Sequence, residues 1–495
     1  MIDLTLSQIA ELTGGELHNV TDPQARVTGG VEFDSRKLGD GGLFVALPGE
    51  RVDGHDFAAR AVADGAIAVL AARAVDAPAI VVTSADQTDE AVAQAVVDAM
   101  SALARHVSTT LTVEHGLRIV GVTGSAGKTS TKDLLAAVLG RAGETVAPPG
   151  SFNNEIGHPY TVLRCTGDTD FLVAEMSARG VGHIAHLAGI ARPQIGVVLN
   201  VGTAHLGEFG SRDNIARAKG ELIEALPAAA DGGVAILNAD DPFVAAMAPR
   251  TTARVVTYSA AQPVAPGADY YATDVVLDDV ARASFTMHTP AGDPVRVRLR
   301  VFGAHQVGNA LAAAAAGLES GMSVAQVAEA LSEHHAASAN RMDVASRSDG
   351  LTVINDSYNA NPDSMRAGVA ALAYTASARR GARAIAVLGE MGELGDDSAA
   401  AHERVGDELA RFNVSHLVVV GTSPDARAMA TSADKQGITT CVAHDVDEAV
   451  REVEEILRTP NPDVPQAEAD GDVVLVKASN AIGLWHVADA LLGRQ

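Results

Sequence analysis

The first hundred or so residues alternate short apolar runs with helix-spaced ones. "GGLFVALPG" is a strand ending in a Pro-Gly turn, and "HDFAARAVADGA" is a helix closed by glycine. "AIAVLAAR" and "APAIVVTSA" read as further strands, and "DEAVAQAVVDAMSALARHV" as a long helix that ends a first unit, residues 1–112. A second unit, 113–338, opens on the buried strand "LRIVGVTG". Leu134, Leu135, Val138 and Leu139 then recur at helical spacing. "DFLVAEMS", "PQIGVVLNVG" and "GVAILNADDP" are apolar runs ending in polar residues, and "HQVGNALAAAAAGLESG" and "SVAQVAEALSEH" are helices. After the polar stretch "HHAASANRMD", residues 339–495 repeat the alternation, with strands "LTVIND", "ARAIAVLGEM", "SHLVVVG" and "DVVLVKAS" between four helical segments.

Strands alternating with helices predict α/β units whose parallel sheets are covered on both faces. Ligands collect at the carboxyl ends of such strands. Glu175, Asn200 and Asp240 stand there.

The start, "MIDLTLSQIAELTGGELHNV", reads as a strand and a short amphipathic helix, not as a signal peptide. No apolar run is long enough to cross a bilayer. With 495 residues, 47% of them hydrophobic, the chain can bury several cores. Only 3% of residues are aromatic and the net charge is -25, which argues against nucleic acids and anionic membranes as partners. Cys165 and Cys441 fit no metal spacing and read as two free buried thiols. These features predict a cytoplasmic protein, and no heptad or apolar seam suggests anything but a monomer.

The chemistry centres on "GVTGSAGKTS", residues 121–130. The common phosphate loop reads G-x-x-x-x-G-K-[ST], but Val122 stands where its first glycine belongs. Strand, loop, lysine, hydroxyl and helix nevertheless line up. Backbone amides and a helix N-terminus would hold phosphate, Lys128 would reach the outer phosphates, and Thr129 would ligate Mg²⁺. Glu175 alone reads as a solvated strand end and His205 as a surface histidine. Beside a phosphate loop the two also form a plausible Mg²⁺ site. On pattern alone Lys219 is a solvated helix lysine. Asn309, in an otherwise apolar helix, could hydrogen-bond a base. "NDSYNANPDSM" (355–365) reads either as a capped turn or as a site for a small polar ligand.

These residues resemble the Mur ligases, a family of ATP-dependent amide-forming enzymes. "TGSAGKTS" is similar to their shorter phosphate loop. "SFNNEIGHPYTVL", "VAEMS", "NVGTAHL", "ARAKGEL", "LNADDP", "HQVGNALAA" and "NRMDV" follow in the family's order. "VINDSYNANPDSM" and "VLGEMGELG" look like the branch that adds D-alanyl-D-alanine. "FDSRKLGDGGLFVALPGERVDGHDF" is similar to a uridine-nucleotide-binding domain, and the D-N-P-R signature of the diamino-acid-adding branch is missing.

The resemblance implies three domains: a central parallel-sheet P-loop ATPase domain, an N-terminal α/β UDP-binding domain and a C-terminal Rossmann-like α/β domain. It implies ATP and Mg²⁺ as cofactors, with UDP-N-acetylmuramoyl-tripeptide and D-alanyl-D-alanine as substrates joined through an acyl phosphate. The ATP contacts would be Thr123, Gly124, Ser125, Ala126, Gly127, Lys128, Thr129 and Ser130 of the loop, with Asn309, Arg341 and Asp356. Thr129 and Glu175 would hold one Mg²⁺, and His205 and a carbamate on Lys219 a second. Lys128, Glu175, His205 and Lys219 would be the catalytic set. Asn153 and Asn154 would meet the UDP-sugar side, Ser35 the uridine end, and Tyr358 and Asn361 the dipeptide, with Ser177 a further substrate contact.

The family's C-terminal K-G-S-R is here Lys477-Ala478-Ser479-Asn480, so a contact through that arginine is not expected. A diamino-acid-adding or folylpolyglutamate-type ligase, or a nucleotide-binding module without turnover, is the alternative.

Overall fold

The computed structural model describes residues 1–49, 52–84, 86, 88–203, 206–462, 464 and 470–494. His205 lies outside the described residues.

Three large sheets follow one another along the chain, as the alternation of apolar runs predicts. In the first, Glu16–His18, Ala79–Val81, Ala66–Ala71, Gly42–Val45 and Val31–Glu32 lie side by side in that order. Only the Glu16–His18 pairing is antiparallel. The helix Leu6–Thr13 precedes it. Thr5 and Gln8 cap each other's backbone amides at its start, and Gly14, at φ 66°, ends it.

The long helix Asp89–Thr110 is capped by Thr88 and carries Asp89 and Glu90 in its first turn, where the helix dipole favours them. It buries Val96, Met100, Leu103 and Val107. That face packs on Leu6–Thr13 and also on the helices Gly157–Leu163 and His183–Ala191 of the next unit. Ser108 seals the contact by donating to the Ile190 carbonyl at 2.6 Å. The helix read as the end of the first unit is therefore shared with the second.

The second sheet has nine strands. Arg118–Thr123 pairs in parallel with both Phe171–Glu175 and Ile195–Val198. After Arg118–Thr123 the chain passes to Thr145–Val146 and Phe171–Glu175 on one side and then crosses to Ile195–Val198 on the other, which opens a crevice at the carboxyl end of Arg118–Thr123. The helix Lys128–Leu139 and the helix Gln306–Glu319 cover one face. Ala310 and the run Ala312–Ala316 are fully buried there, and their small side chains let the helix lie close to its neighbours.

Four strands of this sheet, Arg254–Ser259, Tyr270–Leu277, Arg282–Thr289 and Gly292–Phe302, were not among the expected elements. The last two run antiparallel to their neighbours, so this edge departs from an all-parallel sheet. Its reason is strict alternation: Val297, Leu299 and Val301 are buried, while Arg296, Arg298 and Arg300 face out.

The third sheet runs Asp343–Ser346, Thr352–Asn355, Val473–Lys477, Ala384–Leu388, His416–Val420, Thr439–Ala443. Only the first pairing is antiparallel. Two apolar cores sandwich it, as its continuous buried runs require. The edge strand Thr439–Ala443 and the helix Pro424–Lys435 escape the apolar pattern because their residues are mostly polar or small.

Cys165 is free and buried, as expected, whereas Cys441 is free but only partly buried. It sits on that edge strand, which has a neighbouring strand on one side only among the described residues. Among the described residues, no helix is long and apolar enough to cross a membrane.

Candidate active site

A cavity of about 1210 Å³ opens where the three units meet. Phe33 of the first unit, the phosphate loop of the second, and Tyr358 and Asn361 of the third all line it.

The loop leaves the buried strand Arg118–Thr123 and enters the helix Lys128–Leu139 through Gly127, at φ 82°. A side chain there would be strained, and its Cβ would lie 2.8 Å from Asn309 Oδ1. Asn309 is itself held by Gln306 at 2.9 Å, so it braces the loop as well as lining the cavity. Asn200, at the end of the neighbouring strand, takes the amides of Ser125 and Ala126 on its Oδ1 at 2.9 Å each. Those two amides therefore point into the protein. The donors left for a ligand are the first amides of the helix, which have no intrahelical acceptor. Lys128 Nζ rests 2.7 Å from the Gly124 carbonyl. Burial lowers its pKa, and the nearby Glu175 charge opposes that shift.

Glu175 ends the strand Phe171–Glu175 fully buried. Its Oε1 accepts from Asn153 Nδ2 at 2.6 Å and from Thr129 Oγ1 at 3.2 Å. Its Oε2 is buried and has no hydrogen-bond partner among the described residues. A bare carboxylate oxygen out of water is costly. A divalent cation held between it and the Thr129 hydroxyl would satisfy it, so these residues fit Mg²⁺. Among the described residues no three His, Cys, Asp or Glu side chains gather as a metal cluster.

The other expected residues fall into three groups. Ser125 to Ser130, Asn153, Asn154, Glu175, Ser177, Asn309, Arg341, Asp356, Tyr358 and Asn361 line the cavity. Several of them are engaged within the protein. Asn153 bridges Glu175 and Ser177, whose Oγ lies 2.9 Å from Asn153 Oδ1. Asn154 Oδ1 accepts from the Gly157 amide at 2.9 Å. Asn361 caps the helix Pro362–Ser377 through the Ser364 amide at 2.9 Å, so the capped-turn reading holds while the side chain also lines the cavity. Thr123, Gly124 and Ser35 lie outside the lining, although Phe33 belongs to it.

Lys219 stands apart. It is 4% exposed, so the solvated reading does not hold. The helix Arg212–Glu224 turns it inward, and among the described residues it has no hydrogen-bond or ion-pair partner. Burial first, and then the charge of Lys128, hold its pKa well below the ordinary lysine range.

Sequence reasoning missed several lining residues. Lys477, Ser479 and Asn480 bring the carboxyl end of the strand Val473–Lys477 into the cavity. Ser151 lies between Thr129 and Arg341. Arg179 pairs with Glu393 at 3.3 Å across the gap between the second and third units. A lysine closing an apolar strand was a visible signal for Lys477, whereas Ser151 opens the quoted stretch "SFNNEIGHPYTVL" but was given no role beside its two asparagines.

The family models match in three consecutive blocks: the Mur ligase family catalytic domain over 28–108, the Mur ligase middle domain over 122–317 and the Mur ligase glutamate ligase domain over 340–480. A UDP-N-acetylmuramoyl-tripeptide–D-alanyl-D-alanine ligase of Mycobacterium leprae is 50% identical, covering 100% of this chain and 99% of its own length. The chain belongs to the Mur ligase family.

The Escherichia coli ligase of the same name is 35% identical over 89% of this Mur ligase and 92% of its own chain. Among solved structures, MurF from Acinetobacter baumannii superposes with a TM-score of 0.83 at 30% identity, over 99% of both chains. MurF from Thermotoga maritima in complex with ADP gives 0.75 at 27% identity, over 94% of this Mur ligase and 98% of that chain. The three-domain α/β architecture is common to them.

Proposed function

We propose that this chain joins D-alanyl-D-alanine to UDP-N-acetylmuramoyl-tripeptide at the expense of ATP, making a peptidoglycan precursor in the cytoplasm. The observation that carries this reading is the single cavity in which parts of all three units meet around the phosphate loop. Similarity to ligases of that name, 50% identical over 100% of this chain and 35% identical over 89% of it, supports the reading.

The reaction brings two anions together, the tripeptide carboxylate and the γ-phosphate. The first amides of the helix Lys128–Leu139 and the Lys128 ammonium offset charge that grows on the γ-phosphoryl group. Attack by the carboxylate gives an acyl phosphate and ADP. The dipeptide amine then attacks the acyl carbon, and phosphate leaves from the tetrahedral intermediate. Thr129 and Glu175 would hold Mg²⁺, which when bound neutralises phosphate charge. His205 and Lys219, the latter as a carbamate, are assigned to a second such ion. Tyr358 and Asn361 orient the dipeptide, Asn309 and Asp356 face the nucleoside, and Phe33 marks the UDP-sugar end. Closure of the third unit over the cavity would exclude water, which would hydrolyse the acyl phosphate, and the exposed Arg179–Glu393 pair spans that gap. We assign it as a monomer, since no heptad or apolar seam in the sequence calls for a partner copy.

The test is phosphate release from ATP with UDP-muramoyl-tripeptide, with and without D-alanyl-D-alanine. A ligase requires both partners. Release that depends on neither would overturn the assignment.

A further inference from the structure

Ser151 Oγ lies 2.9 Å from Thr129 Oγ1 and receives a hydrogen bond from Arg341 Nη2 at 2.7 Å. Thr129 donates to Glu175 Oε1 at 3.2 Å. The proton directions follow from the donor inventory. A guanidinium only donates and a carboxylate only accepts. Thr129 has one hydroxyl hydrogen, given to Glu175, so Ser151 must donate to Thr129 and accept from Arg341. The result is one directed chain from Arg341 through Ser151 and Thr129 to Glu175.

This chain joins two bodies. Arg341 stands at the entrance to the third unit, with its guanidinium 4.2 Å from the centre of the Tyr358 ring. Thr129 and Glu175 belong to the central unit. The chain also leaves a defined vacancy in bonding. Among the described residues both side-chain hydrogen bonds to Glu175 fall on Oε1 and none on Oε2. On Thr129, donation to Glu175 and acceptance from Ser151 leave one lone pair, with its direction set by its two partners.

We propose that Ser151 is a positioning residue. It aims the free lone pair of Thr129 at the space beside Glu175 Oε2 and couples the seating of Arg341 to that aim. This deepens the functional reading above and rests on its placing of a divalent cation at Thr129 and Glu175. Directed hydrogen-bond chains in a low-dielectric site strengthen one another, so losing the middle member costs both ends.

The test is calorimetry of ADP binding to the full chain, with Mg²⁺ and without metal, for wild type, Ser151→Ala and Ser151→Thr. Losing one such hydrogen bond should weaken Mg·ADP by about five- to tenfold. Metal-free ADP should change less than about twofold, and Ser151→Thr, which keeps the hydroxyl, should return Mg·ADP to near wild type. Mn²⁺ bound with ADP gives a second readout: its electron paramagnetic resonance line should change in Ser151→Ala and not in Ser151→Thr. Combining Ser151→Ala with Arg341→Ala should cost less than the sum of the two, because both break one chain. Equal losses with and without metal, no loss at all, or strict additivity would overturn the proposal. If wild type binds Mg·ADP yet releases phosphate without regard to D-alanyl-D-alanine, the reaction assignment fails, while the binding comparison still decides the role of Ser151.

Discussion

Lys477 Nζ lies 2.5 Å from Asp356 Oδ2 and 2.9 Å from the Asn359 carbonyl. The lysine is 1% exposed, and Asp356 is also held by the Met342 amide at 3.1 Å. This pair ties the ends of two neighbouring strands, Thr352–Asn355 and Val473–Lys477, to the loop that leads to Asn361. Removing one partner of a buried pair leaves an uncompensated charge and typically costs about 3–5 kcal/mol. Lys477→Met should therefore lower stability by about 3 kcal/mol and raise KM for ATP, while the double variant Lys477→Met/Asp356→Asn should recover most of the stability and little of the activity. Denaturant melts beside initial rates decide this. Unequal recovery is the expected signature, and a fully active double variant would remove Asp356 from the nucleotide site.

Lys128→Ala should abolish turnover in a folded protein. The lysine's one side-chain hydrogen bond among the described residues is to its own loop, at the Gly124 carbonyl, so packing loses little. The loss of charge opposite the γ-phosphoryl group should cost about 10²–10³ in rate. Near-wild-type rates with an unchanged melt would refute the assignment of the loop.

The phosphate loop was legible because all its parts are local: the end of a strand, the glycines, the lysine, the hydroxyl and the start of a helix fall within ten consecutive residues. The burial of Lys219 was not, because helix spacing alone let it fall on a solvated face. The bracing of Ser125 and Ala126 by Asn200 spans 75 and 74 positions, and the Lys477–Asp356 pair spans 121. Such pairs exist only once strands from distant segments lie together. The antiparallel edge was readable in principle, since "VRVRLRV" alternates without a break. It was obscured by the apolar runs of the parallel strands, which set the expectation for the whole sheet.

Asn361 has two separable duties. Its Oδ1 caps the helix Pro362–Ser377, and the side chain lines the cavity. Asn361→Ala should lose about 1 kcal/mol of stability from the cap and raise KM for D-alanyl-D-alanine more than KM for ATP. Asn361→Asp keeps the capping oxygen but loses the amide donor. It should melt like wild type and still bind the dipeptide poorly. If Asn361→Asp binds the dipeptide normally, the residue serves the helix alone.

Tyr160 donates to both oxygens of Glu32 at 3.1 Å, joining the first unit to the second beside Phe33 and Phe152. Burial raises the pKa of Glu32 and the tyrosine hydrogen bond lowers it. That bond therefore favours the ionised carboxylate. Its contribution is present above the folded pKa of Glu32 and fades as pH falls through it. Tyr160→Phe should cost about 1 kcal/mol at pH 7 and progressively less towards pH 4.5, the ordinary value that Glu32 exceeds. Paired thermal melts across that range test the sign. A gap that widens on acidification would contradict it.

Lys219 should be a liability to the fold that the reaction requires. Its side chain is buried without a hydrogen-bond or ion-pair partner among the described residues, and the Lys128 charge repels its ammonium form. The unfolded chain, with an ordinary lysine pKa of about 10.4, holds a proton that the folded chain binds poorly. Stability contributed at this position thus rises with pH between the depressed folded value and the unfolded one. Lys219→Met removes that penalty, so it should melt higher than wild type at neutral pH and by a shrinking margin as pH rises. It should also be nearly inactive. The same burial favours the neutral amine, which is the form that adds CO₂ to give a carbamate. A carbamate would reverse the local charge, attract Lys128 and offer two oxygens to a cation. Bicarbonate should therefore raise the melting temperature and the rate of wild type and leave Lys219→Met unchanged. A small carboxylic acid should partly restore activity to Lys219→Ala, and Lys219→Arg should not recover, since it keeps the wrong sign of charge. A ¹³C-bicarbonate label read by NMR gives the direct answer. An unmodified lysine in fully active, bicarbonate-supplied enzyme would leave Lys219 with its burial and without its carbamate.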